Sequence, residues 1–124
     1  VLRSADVLLM DAEAMNELGY GDNDALKYLN MVRTRSHASE YTYAELADQS
    51  AFRNAVEKER RLELAFENHR WFDLVRTGKA LEVVNKNDGS SVLTVNAKEH
   101  QLLFPIPQSQ IDASGNKLVQ NPGY

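Results

Sequence analysis

Cysteine is absent from the 124 residues. Disulfides and thiolate metal sites are therefore excluded, and the redox compartment leaves no mark on the sequence. Histidine is scarce. His37, His69 and His100 lie far apart, without the HxxxH or HxH spacing that brings two imidazoles to one metal. No apolar run approaches the roughly 20 residues that cross a bilayer as a helix. There is no glycine-rich phosphate loop and no G-x-S-x-G nucleophile turn, and Asp88-Gly89 lacks the other ligands of a calcium loop. A basic surface is missing too. The net charge is −4 and the basic residues are mostly interleaved with acids, so nucleic acid is not an expected partner. What remains is 43% hydrophobic and 26% charged, the balance of an ordinary globular domain.

Apolar periodicity predicts a mainly α fold. A helix is expected over 2–18, with Ala5, Leu8, Leu9 and Ala12 as one stripe and Val7, Ala14 and Leu18 as a second apolar side. Gly19-Tyr20-Gly21 ends it, and Asp22 or Asn23 can cap a second helix over about 24–36. There Ala25, Leu29 and Val32 face inward, with Tyr28 beside them. Residues 2–36 thus form an antiparallel hairpin of tetratricopeptide-like size. One such hairpin cannot bury both of its faces and no second copy occurs in the sequence, so further repeats are expected upstream. The opening Val1-Leu2-Arg3 runs straight into helical periodicity, and Asn121-Pro122-Gly123-Tyr124 is a turn-rich stop. The 124 residues read as a single domain, the C-terminal piece of a longer chain.

Further along, Thr42-x-x-Glu45 matches a capping box that opens a short helix. Ser50 is the expected cap of a long helix over 51–78, closed by Gly78. Residues 79–124 are expected to be loops, short strands and an irregular tail. Within them, 80–84 reads as a helical turn or strand, 85–91 as a turn and 92–95 as a strand. Pro105-Ile106-Pro107 imposes an extended path. Ile111, Leu118 and Val119 are the candidate anchors of the tail.

The stretch EKERRLELAFENHRWFDLVRTG, residues 57–78, carries the sharpest signal. On a continuous helix Glu59, Glu63, Glu67, Arg70 and Asp73 share one face, with Leu62, Phe66, Trp71 and Leu74 among or beside them. Ionised groups in a packed interface must be paired. Such a stripe is either a structural network or an acid–base site of the kind glycosidases build from two carboxylates. Arg60, Arg70 and Arg76 on the same helix, with Arg33 and Arg35 on the preceding one, favour pairing. Paired carboxylates stay ionised and make poor general acids. The structural network is therefore assigned to Arg33, Arg35, Glu59, Arg60, Glu63, Glu67, Arg70 and Asp73, and no catalytic, cofactor-binding or metal-binding residue is assigned. Trp71, the single Trp, reads as core. Tyr20, Tyr41 and Tyr43, in expected loops, are the better candidates for exposed contacts.

Five segments, RSADVLLMDAEAMNELG (3–19), ALKYLNMVRTRS (25–36), residues 57–78, LLFPIPQSQI (102–111) and LVQNPGY (118–124), resemble in order the C-terminal region of SusD/RagB-type proteins. Asn68 stands where that family usually has Gly. The resemblance implies a non-catalytic nutrient-binding lipoprotein on the outer face of a Gram-negative outer membrane. It implies a fold of tetratricopeptide-like hairpins, of which 2–36 is the last, and a lipid anchor N-terminal to these residues. The implied partners are a glycan ligand and a TonB-dependent transporter of the SusC type. No cofactor is implied, and no ligand-contacting residue transfers to a position in this sequence. The alternatives are a helical-repeat scaffold for other proteins and a glycoside hydrolase that uses Glu59, Glu63 and Glu67.

Overall fold

A computed structural model describes residues 2–86, 94–115 and 117–124. It divides into two compact units, residues 1–70 and 71–124. Among the described residues every regular element is helical.

The first unit holds α1 (Ser4–Leu18), α2 (Asn23–Arg35) and α3 (Gln49–Glu63). Helix α1 buries Ala5, Leu9, Ala12 and Asn16, a spacing that keeps one stripe inward. The Asp22 carboxylate caps α2 by accepting from Asp24 N–H at 2.8 Å and Ala25 N–H at 3.4 Å. Helix α2 contributes Ala25, Leu29 and Val32, and α3 adds Phe52, Ala55 and Val56. These close one core together with Leu46. Helix α2 ends with His37 in the left-handed region, φ 57°. His37 N–H then donates to Thr34 O and Ala38 N–H to Arg33 O, a Schellman pair formed without glycine.

Two local expectations change here. Thr42 and Glu45 do make contact, the Glu45 carboxylate accepting from both Thr42 N–H and its hydroxyl at 2.8 Å. The result is a turn, not a helix, because Leu46 is already drawn into the core and Asp48 must begin α3. The cap of α3 is Asp48, which accepts from Ala51 N–H at 2.8 Å, and not Ser50. Asp48→Ala should therefore lower unfolding free energy by about 1 kcal/mol, and Ser50→Ala should leave it within about 0.5 kcal/mol. Urea titration of the two variants checks this, and the reverse ranking would refute the assignment.

The expected long helix over 51–78 is not continuous. It stops at Glu63, runs through turns, and resumes as α4 (Arg70–Arg76). Phe66 (φ 67°) and Asn68 (φ 63°) are left-handed. In an unbroken helix Glu67 N–H would donate to Glu63 O. Here it donates to Leu64 O at 3.2 Å, and Glu63 O instead accepts from the Arg3 guanidinium at 2.9 Å. A tertiary contact has replaced the helical hydrogen bond and overridden strong local propensity. Asn68, where the resembled family carries Gly, was the available signal, since Asn and Gly tolerate this region best. Asn68→Val should cost about 1–2 kcal/mol, while Asn68→Gly should stay within about 0.5 kcal/mol of the parent. Thermal melts compare the two, and equal melting temperatures would argue against the left-handed geometry.

In the second unit α4 ends at Gly78 (φ 72°), with Gly78 N–H on Val75 O and Lys79 N–H on Leu74 O. Helix α5 (Ala80–Val84) settles the helical reading of 80–84. The Asn85 side-chain amide brackets the backbone of Ala97, accepting from its N–H at 2.6 Å and donating to its carbonyl at 2.9 Å. The expected turn at 85–91 and strand at 92–95 fall mainly outside the described residues, and Thr94 and Val95 form no strand. A 3-10 turn spans Glu99–Leu102.

The tail is more ordered than its sequence suggested. Helix α6 (Gln108–Ala113) follows Pro107 and buries Ile111, whereas Leu118 and Val119 are exposed. The Gln120 amide accepts from Ile106 N–H and donates to Ile106 O, both at 2.8 Å, imitating a strand partner. Asn121 donates to Phe104 O at 2.7 Å and the Tyr124 hydroxyl to Leu103 O at 3.0 Å. At Gly123 (φ 97°) an added Cβ would lie 2.6 Å from the His100 ring, so the close approach requires glycine.

Candidate functional site

Eight of the ionised residues of the first unit meet around α3. Arg60 on α3 donates to Asp6 on α1 at 2.8 Å, and both side chains are more than nine-tenths buried. Arg33 on α2 donates to Glu59 on α3 at 2.6 Å, again with the carboxylate buried. The Arg33 Nε–H also donates to Ser39 O at 2.6 Å, and its guanidinium lies 4.0 Å over the Tyr41 ring. Glu63 accepts from Arg3 at 2.9 Å and also from Arg35. Arg3 further holds Glu67 through two donors, at 2.9 and 2.7 Å. These contacts, with Glu67 first and Glu63 second, raise the pKa of Arg3 further above its usual value. The bidentate geometry is the strongest form such a pair takes.

The arrangement joins three helices with charge-assisted hydrogen bonds. It does not leave a separated acid and base facing an open cleft, which glycoside hydrolysis needs. Of the residues picked from sequence, Arg33, Arg35, Glu59, Arg60, Glu63 and Glu67 come together. Asp73 pairs instead with Arg76 one turn along α4 at 3.0 Å, and Arg70 joins none of these pairs. The shared face that grouped Arg70 and Asp73 with the glutamates disappears with the helix break. Two members were missed, Arg3 and Asp6. Asp6 had a legible signal, an ionisable residue adjoining the Ala5–Leu9 stripe. Arg3, beside the first helical residue, had none.

The loop tyrosines are tethered, although Tyr20 stays exposed. The Tyr20 hydroxyl donates to Leu46 O and the Tyr43 hydroxyl to Asp22 O. Tyr20 meets Tyr43 edge-on at 5.5 Å, and Tyr43 stacks on Phe52 at 6.2 Å. Burial, then the nearby Asp22 and Tyr20, pushes the Tyr43 phenol above its usual value. The 37–48 segment is therefore strapped to the core by its aromatics. Trp71 is half-buried.

The open hollows among the described residues include the following two. One, of about 670 Å³, follows the outer face of α2 along Leu26, Lys27, Asn30, Met31 and Thr34. Some of its polar groups are already engaged: the Asn30 amide pairs with the Tyr41 backbone in both directions, and the Thr34 hydroxyl with Glu40. The other, about 450 Å³, lies beside His100, Leu103 and Asn121 in the second unit. No group of three His, Asp or Glu among the described residues could hold a metal ion.

Comparison with known proteins gives a consistent result. The sequence profile of the SusD family matches residues 1–124. SusD-like protein P25 of Formosa agariphila is 40% identical over 130 residues, covering 100% of this chain and 24% of that protein. SusD-like protein P2 of the same organism is 34% identical over 128 residues, covering 99% of this chain and 25% of its own length. Among solved structures, a SusD homologue from Bacteroides thetaiotaomicron superposes with a TM-score of 0.78 at 37% identity, over 99% of this chain and 26% of that one. Surface glycan-binding protein A from Bacteroides thetaiotaomicron superposes with a TM-score of 0.76 at 34% identity, over 95% of this chain and 23% of that one. The chain thus spans about a quarter of the length of the curated relatives it matches.

Proposed function

Since the chain belongs to the SusD family, we propose that it forms part of a cell-surface protein that binds a glycan and releases it unchanged. The observation that carries this reading is the similarity, in sequence and fold together, to surface glycan-binding protein A. The finer parts of the proposal are delivery of the glycan to a TonB-dependent transporter of the SusC type and anchoring by lipid at the outer face of the outer membrane. The charge network serves as a brace for the three-helix unit, away from the ligand. The pairing of its carboxylates supports a non-catalytic role. Glu59, Glu63 and Glu67 each accept from a guanidinium, so their oxygens are engaged in bracing the helices.

The test uses the full-length protein. Calorimetric titration with a panel of oligosaccharides should give saturable binding of at least one glycan, and incubation with that glycan should release no new reducing ends. Sustained cleavage would overturn the proposal, as would the failure of every glycan to bind. Co-purification with the adjacent transporter, and labelling by an antibody on intact cells, address delivery and location separately.

A further inference from the structure

Phe66 combines two properties that a bulky aromatic residue avoids. Its relative exposure is 104%, so its ring touches almost nothing among the described residues. Its φ is 67°, a region that costs a non-glycine residue conformational energy and in which large side chains are rare. Local structure compensates neither cost. The neighbouring turn hydrogen bonds, Ala65 N–H to Leu62 O and Glu67 N–H to Leu64 O, would form equally well with a small residue at 66. Leu62, four positions earlier, is also 61% exposed, a second apolar side chain open to solvent in the same stretch. On either side the chain is fixed. Leu64 is buried in front of Phe66, and Glu67 behind it is clamped by Arg3. The ring is thus presented on a rigid post, pre-organised at little further entropic cost on docking.

We propose that Phe66 is an anchor that seats, with Leu62, in an apolar recess formed by residues of the same polypeptide outside 1–124. The length of the relatives argues for this occupant. About three quarters of each matched relative lies outside the part that this chain covers. A ring exposed to water throughout would forgo the stabilisation that burial of a large apolar side chain provides. The inference concerns how the unit is held in the whole protein and is independent of the ligand.

Thiol labelling in the full-length protein tests it. Phe66→Cys should react with a maleimide at least about tenfold more slowly than Ser50→Cys, an exposed position on α3, because the recess protects it. Leu62→Cys leaves Phe66 in place and should show the same protection, which guards against misfolding of the Phe66 variant. Protection must be independent of protein concentration and present without the transporter or glycan. Equal labelling rates at 62, 66 and 50 would overturn the proposal. Protection lost on dilution would assign the patch to a second copy, and protection only with transporter or glycan would assign it to that partner. Either outcome also refutes an anchor within the chain.

Discussion

Asp6→Ala should lower unfolding free energy by about 3–5 kcal/mol, the cost of removing one partner from a buried ion pair. Arg60 and Asp6 are 5% exposed as residues and lie 2.8 Å apart, so water cannot replace the carboxylate. Without it a guanidinium remains in the seam between α1 and α3. The loss is large against the roughly 5–15 kcal/mol that stabilises a typical domain. The pair itself need not be net stabilising, because desolvation opposes its attraction. The double replacement Asp6→Leu with Arg60→Met should therefore recover most of the loss. Urea unfolding of parent, single and double variants measures both effects. A single-variant loss under about 1 kcal/mol would mean the pair is hydrated and not a brace.

Phe52→Ala should cost a similar amount, about 3–5 kcal/mol, by a different mechanism. Phe52 is 0% exposed and sits where α3 meets the helical hairpin, with the Tyr43 ring stacked on it at 6.2 Å. Truncation loses the transfer free energy of the ring and leaves a cavity bounded by helices that ion pairs hold in place, so collapse is limited. The Tyr strap should loosen at the same time. The expected readout is a lower denaturation midpoint with greater solvent exposure of the tyrosines in their fluorescence. An unchanged midpoint would show that Phe52 is not central to the core.

The two sites differ in how readable they were. Phe52, Ala55 and Val56 recur at the three-to-four-residue spacing of a helix that faces a core. The pairing of the Glu residues with Arg33 and Arg35 was readable from composition and spacing, since carboxylates in a packed seam need cations nearby. Arg3 and Asp6 were not readable as partners. They lie more than fifty positions from Arg60 and Glu63, and sequence spacing carries no information about which surfaces of distant helices meet. The tail shows the same limit. The two prolines signalled an extended path, but the bracket of Gln120 on Ile106 depends on where the chain returns.

By itself, the sequence determined the helical class, the α1–α2 hairpin with a cap at Asp22 or Asn23, the Gly78 stop and the kinship with the SusD family. All of these rest on local periodicity, capping chemistry or motif order. Only tertiary structure decided that residues 57–78 form two helices. Local propensity favours one, but Arg3 takes the Glu63 carbonyl and Glu67 carboxylate from across the unit. A charge-assisted hydrogen bond from a guanidinium is at least as strong as the neutral backbone bond it replaces. A distant guanidinium can therefore break a helix that no glycine or proline interrupts.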